Sequence, residues 1–391
     1  LIGYFFHNLL NKKEDNLIQY FSFVFLSYCL INMNRYSSWG NDDFASILFF
    51  ICIIETYKLY NNFNLKALSV LTLFCSFAFL IKTFFIITFL MPLYLFLKNY
   101  KNIILIKILN PINFFTLFFI FFWLFKNFLN SSCFLFPLEF TCLFGFEWSL
   151  TKIAINNISD ISEAWAKAFP DYIYKNLNFS EYISNFYWVS TWLDSHFKII
   201  LKNILILIPI ILIYNFFIKI KISNSQKKFC LEMLVLLIIL CTMWFIKFPL
   251  LRFGEGFLVT LVTFFFIALN IIKINFINLK KFKIIFISIL ITVILIKNFV
   301  RIYDNFEYKY VDYPWPKKNS YSNENKLIEY TSIINSDEII YYEPKVENNL
   351  CMYGKAPCAS IGVNKYFFKN NEMRINKDKF FIFDKFVIIN K

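Results

Sequence analysis

Histidine is nearly absent from this chain: only His7 and His196 occur in 391 residues. That excludes a histidine-based metal centre, which needs two or three imidazoles at one point. Glycine is scarce as well, seven residues in all. The Gly254-Glu255-Gly256 stretch is too short to cradle phosphates, and no nucleotide-binding loop of the Walker type is present. Before residue 301 the apolar pattern has one long interruption, Lys126–Trp192. Only 17% of residues are charged, against 58% hydrophobic, and a soluble globular domain seldom has that balance.

What fills the chain instead is apolar runs of membrane length. They fall at 16–33, 44–57, 66–81, 83–97, 111–129, 199–218, 229–247, 254–272 and 282–300. Runs near twenty residues match the hydrocarbon core of a bilayer. The expectation is an all-α polytopic membrane protein of about nine spans, occupying residues 1–300, with a long loop at 130–198. Residues 301–391 form a different material, with turn-like YPWPKKNSYSN and strand-like EIIYY and KFFIFDKFVII. They are expected to fold as a small domain of mixed or irregular structure.

The net charge of +14 would suggest nucleic acid in a soluble protein. Here the basic residues lie in short loops, where they set orientation and imply no nucleic-acid partner. Lys12, Lys13, Lys58, Lys66, Lys98, Lys101, Lys107, Lys219, Lys221, Lys227, Lys228, Lys273, Lys280, Lys281 and Lys283 fall on one side, with acids only at Glu14 and Asp15. The short loops of the other side hold Arg35, Lys82, Lys247 and Arg252. The Lys-rich side is therefore read as cytoplasmic. The long loop and the tail are read as extracytoplasmic, in a bacterial inner membrane.

Cysteine placement agrees. Cys29, Cys52, Cys75, Cys230 and Cys241 lie in spans. Cys133 with Cys142, and Cys351 with Cys358, are close pairs on the outer side, where disulfides form; bridged or free thiols are both open.

Four outer features could carry chemistry. Asp42 and Asp43, with Arg35 nearby, precede a span. One Asp suffices to cap a helix, which leaves the second for acid–base work or a divalent cation. Lys82 either snorkels to the interface or faces a phosphate. Arg252 either pairs with Glu255 as an interfacial anchor or holds a lipid-linked phosphate. Trp165, Trp188 and Trp192 either lie along the membrane surface or stack on sugar rings or an isoprenoid chain.

The layout resembles the GT-C superfamily of integral membrane glycosyltransferases, over most of residues 1–300. The resemblance implies a polyprenyl-phosphate sugar donor and transfer at the outer face. It implies that Asp42-Asp43 matches the superfamily's second acidic motif, the first lying upstream of Leu1 in a longer chain. More narrowly, KNFLNSSCFLFPLEFTCL, EWS, PLLRFGEG, YPWP and the tail around Ala356-Pro357-Cys358 look like a family of uncharacterised bacterial inner-membrane proteins. A lipid-linked oligosaccharide flippase, a surface-polysaccharide polymerase or ligase, and a non-catalytic envelope protein are the rival readings.

Overall fold

The computed structural model describes residues 1–11, 13–32, 42–102, 110–146, 149–169, 179–217 and 223–268, short helical stretches between 288 and 303, and four strands of the tail. Two compact units emerge. One comprises Leu1–Trp123 and Ser159–Ile294; the other comprises Leu124–Ile158 and Leu295–Lys391.

The first unit is a helical membrane bundle. Its helices are α1 (Ile2–Leu10), α2 (Asn16–Asn32), α3 (Asp42–Asn61), α4 (Leu65–Ile81), a 3-10 helix over Thr83–Phe89 that continues into α5 (Leu90–Lys98), and the first half of α6 (Pro111–Ser131). The end of α7 (Lys152–Ala166), α8 (Phe179–Ser184), α9 (Trp188–Phe217), α10 (Asn224–Lys247) and α11 (Leu251–Ala268) follow. Among the described residues, α6, α9, α10 and α11 are long and apolar enough to cross a membrane. Helices α2, α4 and the Thr83–Lys98 segment are shorter and apolar.

The expected nine spans are thus met in part. The run at 44–57 extends to Asp42–Asn61, because its charged residues sit at its two ends and leave the middle apolar. The run at 83–97 is not one α-helix. Seven residues wind as a 3-10 helix, whose rise of about 2.0 Å per residue lets a short segment reach further than α-helix would. The run at 199–218 begins eleven residues earlier, at Trp188, so the loop before it is correspondingly shorter. Of the ninth run, 282–300, the residues before 288 lie outside the described ones, and Ile291–Val300 is a shorter apolar helix. Helix α1 carries no membrane-length signal. It is amphipathic, and Phe5 and Leu9 are buried.

Aromatic stacking joins α2, α3 and α11. Phe21 stacks on Phe264 at 4.8 Å, Phe25 on Phe50 at 4.4 Å, and Phe49 meets Phe257 edge-on at 4.7 Å. Helices approach this closely where one presents small residues. A Cβ on Gly256 would stand 3.3 Å from Phe49 and 3.4 Å from Ser46, and one on Gly254 would overlap the Trp244 indole.

Polar residues tie the Lys-rich end. Ser223 and Gln226 form a capping box at the start of α10. The Gln226 amide also donates to Asp15 Oδ2 (2.9 Å) and to the Tyr57 hydroxyl (2.9 Å), while Tyr57 donates to Asp15 (2.6 Å). Tyr4 donates to Glu55, which Lys58 pairs at 3.1 Å. Tyr94 donates to Glu232, which Lys98 pairs at 3.4 Å.

In the second unit, Cys133 and Cys142 form a disulfide. The bridge closes a small hairpin whose ends exchange Phe134 N–H to Thr141 O (3.1 Å) and Leu143 N–H to Ser132 O (2.8 Å). Ile155 packs on it. In the tail, β1 (Leu327–Ile334) pairs antiparallel with β2 (Asp337–Pro344), and β3 (Glu372–Ile375) with β4 (Phe386–Ile389). The expected strands at 338–342 and 379–389 correspond to β2 and, over its last part, β4. Cys351 and Cys358 lie outside the described residues.

Replacing Gly254 with Val should destabilise the bundle by about 1–3 kcal/mol, the usual cost of overpacking. Gly256→Ala should cost less, because its neighbours need move only a few tenths of an ångström. Thermal unfolding in detergent, read from tryptophan fluorescence, checks both.

Candidate functional site

At the end of the bundle opposite the Lys-rich loops, three helix termini meet. Helix α3 begins with Asp42 and Asp43 in its first turn, where carboxylates complement the positive helix end. Lys82 stands between α4 and the 3-10 helix, in extended conformation. Arg252 and Phe253 lie in the first turn of α11, just after the Phe248–Leu250 turn.

Asp42 is the centre of this meeting. Its side chain is only 7% exposed, and Lys82 Nζ reaches its Oδ1 at 2.7 Å. Arg252 Nε lies 3.6 Å from its Oδ2. The two cations are 31% and 41% exposed. Both also face the Phe253 ring, at 4.3 Å and 4.9 Å from its centroid, which favours a cation held against an aromatic face. A buried carboxylate therefore anchors two half-exposed cations side by side. That arrangement suits an anion approaching from outside, with the Arg fork and the Lys point charge supplying donors.

Arg252 does not pair with Glu255. Glu255 sits one turn deeper on α11 and accepts a 2.5 Å hydrogen bond from the Tyr28 hydroxyl of α2. Tyr28 OH also lies 3.4 Å from Asn203 Oδ1 of α9. At the depth of Glu255 no cation is in reach among the described residues, so a phenol hydroxyl serves. The cleft these residues line is narrow, about 10 Å³, room for about one water molecule at most.

A third cluster lies in the former loop. Glu163 on α7 pairs with Lys167 at 2.6 Å and with Lys247 of α10 at 3.3 Å. Lys167 is almost fully buried, with its ammonium 4.7 Å from the Trp188 ring centroid. Tyr182 donates to the Lys167 carbonyl at 2.9 Å. Asp160, one turn before Glu163, has its pKa raised, first by burial and then by the Glu163 charge, with Lys247 opposing.

Several expectations change here. Trp188 and Trp192 are buried, not presented to an acceptor. Trp188 packs on Phe245, and Trp192 packs on Phe245 and donates to the Pro249 carbonyl at 2.6 Å. Helix α9 starts early enough to take both rings into the bundle. Trp165 is exposed. Arg35 lies outside the described residues. Asp42 has Lys82 on Oδ1 and Arg252 Nε 3.6 Å from Oδ2, an oxygen with no hydrogen-bond partner among the described residues. No group of three or more metal-ligating side chains occurs among the described residues. Sequence reading passed over the Glu255–Tyr28 pair and the Glu163–Lys167–Lys247 triad. A lone Glu inside an apolar helix is the signal that marks the first; in the second, Glu163 and Lys167 stand at i,i+4, a spacing that sequence shows, while Lys247, 84 positions on, has no local signal.

Residues 1–259 match the family model described as "Domain of unknown function (DUF8201)". The chain belongs to that family. Its matched region holds all three clusters and ends within α11. No curated protein matches the chain, and no solved structure does.

Asp42→Asn should lower the unfolding temperature more than Asp43→Asn does, because only Asp42 holds two cations; the same fluorescence scan decides. Asp160→Asn has a pH signature. A raised carboxyl pKa in the folded state means the charged form opposes folding, so stability falls as pH rises through the folded pKa. The Asn variant should therefore unfold at a higher temperature than the parent at pH 7, and the gap should close as pH drops below the ordinary carboxylate range.

Proposed function

We propose that this chain is a membrane glycosyltransferase. It would move a sugar from a polyprenyl-phosphate donor to an envelope glycan or lipid, at the outer face of a bacterial inner membrane. The observation that supports this reading is the pair of half-exposed cations, Lys82 and Arg252, fixed by the buried Asp42 where three helix termini meet. A polyprenyl-phosphate donor places its phosphate at that level of the bilayer, since its chain stays in the hydrocarbon and its head does not.

In this reading Arg252 and Lys82 bind the donor phosphate and stabilise the charge that grows on it as the glycosidic bond breaks. Asp42 holds the two cations in place and touches no substrate. Asp43, on the same turn as Asp42, is the carboxylate left for taking the acceptor's proton.

Transport of the same lipid-linked sugar is the second reading. The Glu255–Tyr28–Asn203 contact inside the spans favours it, because ionisable groups at membrane depth mark transport paths.

Arg252→Ala should reduce sugar transfer by about 10²-fold, the scale of losing one charge-stabilising donor. Arg252→Lys should recover only part, because a point charge replaces the fork. Asp43→Asn should abolish transfer. The measurement is mass spectrometry of envelope glycans from cells in which each variant replaces the native gene, with protein level checked. Unchanged glycans in all three variants would sink the proposal. Normal transfer by membranes, with lipid-linked sugar trapped on the inner leaflet of intact Glu255→Gln cells, would support transport instead.

A further inference from the structure

Besides the cluster around Asp42, a second opening lies in the side of the bundle. It is a groove of about 710 Å³ between α4, the Thr83–Lys98 segment and α6, closed at its far end by Met243 of α10. Leu68, Ser69, Thr72, Phe96, Thr116 and Leu117 are among its walls. It has three hydroxyls, and all are turned inward on their own helices. Ser69 donates to Leu65 O (3.1 Å), Thr72 to Leu68 O (2.9 Å) and Thr116 to Ile112 O (2.8 Å). Ser69 also accepts from the Asn110 amide at 2.8 Å. Apart from Asn113, what remains toward the groove is apolar, so a sugar or other polar ligand would lose most of its water and gain few partners.

We propose that this groove holds one acyl chain of an anionic phospholipid from the Lys-rich leaflet. The length fits. The groove follows α4 from Leu65 to Thr72 and α6 from Asn113 to Ile120, roughly 11 Å at 1.5 Å per residue, and the Thr83–Lys98 segment from Ile86 to Phe96, roughly 16 Å. That is about one leaflet, whose hydrocarbon is about 15 Å deep. A partner's spanning helix would need the full thickness. The outward face of α6 also argues against a second copy. Phe114, Phe115, Leu117, Phe118, Phe121 and Phe122 are exposed on it, with none of the small residues that let helices associate in a membrane. The headgroup sign follows from the mouth. Lys66 adjoins Leu65, and Lys101 follows the end of α5; both are exposed, with no carboxylate in ion-pair range among the described residues. Basic residues at such mouths attract anionic headgroups.

The test is native mass spectrometry of the delipidated full chain in detergent, titrated in turn with phosphatidylglycerol, phosphatidylcholine of the same chains, and a polyprenyl phosphate. One phosphatidylglycerol should be retained several-fold more tightly than phosphatidylcholine. Lys66→Gln with Lys101→Gln should remove that preference. Thr116→Phe, which fills the groove, should abolish retention, and the milder Thr72→Leu should weaken it if Thr116→Phe does not fold. A phosphatidylglycerol carrying a diazirine on its acyl chain should label peptides from α4 and α6. Equal retention of the two phospholipids would overturn the headgroup assignment. Retention of polyprenyl phosphate alone, unaltered retention in both groove variants, or labelling elsewhere would overturn the site. A dimer joined through α6 would assign the groove to a second copy and overturn it too. None of these outcomes depends on sugar transfer.

Discussion

An ionised carboxylate at the edge of a hydrocarbon slab must find a partner inside the protein, because water is not on hand to solvate it. That constraint organises this bundle. At the Lys-rich end Asp15, Glu55 and Glu232 each take a tyrosine hydroxyl, with Gln226, Lys58 and Lys98 adding to them. At the other end Asp42 takes Lys82 and Arg252, Glu163 takes Lys167 and Lys247, and Glu255 takes Tyr28. These contacts join helices distant in sequence: Tyr28 to Glu255 spans 227 residues, and Asp15 to Gln226 spans 211. The polar ends fix which helices are neighbours, and the aromatic middle of α2, α3 and α11 fills the space between them.

The two ends differ in what they leave exposed. At the Lys-rich end most of the acids are capped by neutral hydroxyls and sit within a polar surface. At the opposite end a single buried acid carries two cations that remain in reach from outside. An anion attracted to that end meets two cations already held against Asp42. The asymmetry is what separates a candidate site from a set of structural ties made of the same residue types.

The side groove and the ion cluster use different physics. One offers shape and apolar surface; the other offers charge. A protein that handles lipid-linked substrates needs both.

Hydrophobic run length determined the membrane class, most of the helices and the side on which lysines gather, because a bilayer demands about twenty apolar residues per crossing whatever the neighbours are. Cysteine spacing brought Cys133 and Cys142 together as a candidate pair, and the hairpin joins them. Asp42, Lys82 and Arg252 were each visible as ionisable residues at span ends, but their meeting was not. Arg252 has Glu255 one turn away in sequence and still reaches Asp42, because depth in the bilayer separates the near pair while helix packing joins the far one. Trp188 and Trp192 read as surface aromatics until α9 began early and buried them. Local pattern set what each segment is; only the packing of α3, the Lys82 connection and α11 decided which charges face each other, since that depends on contacts no local spacing encodes.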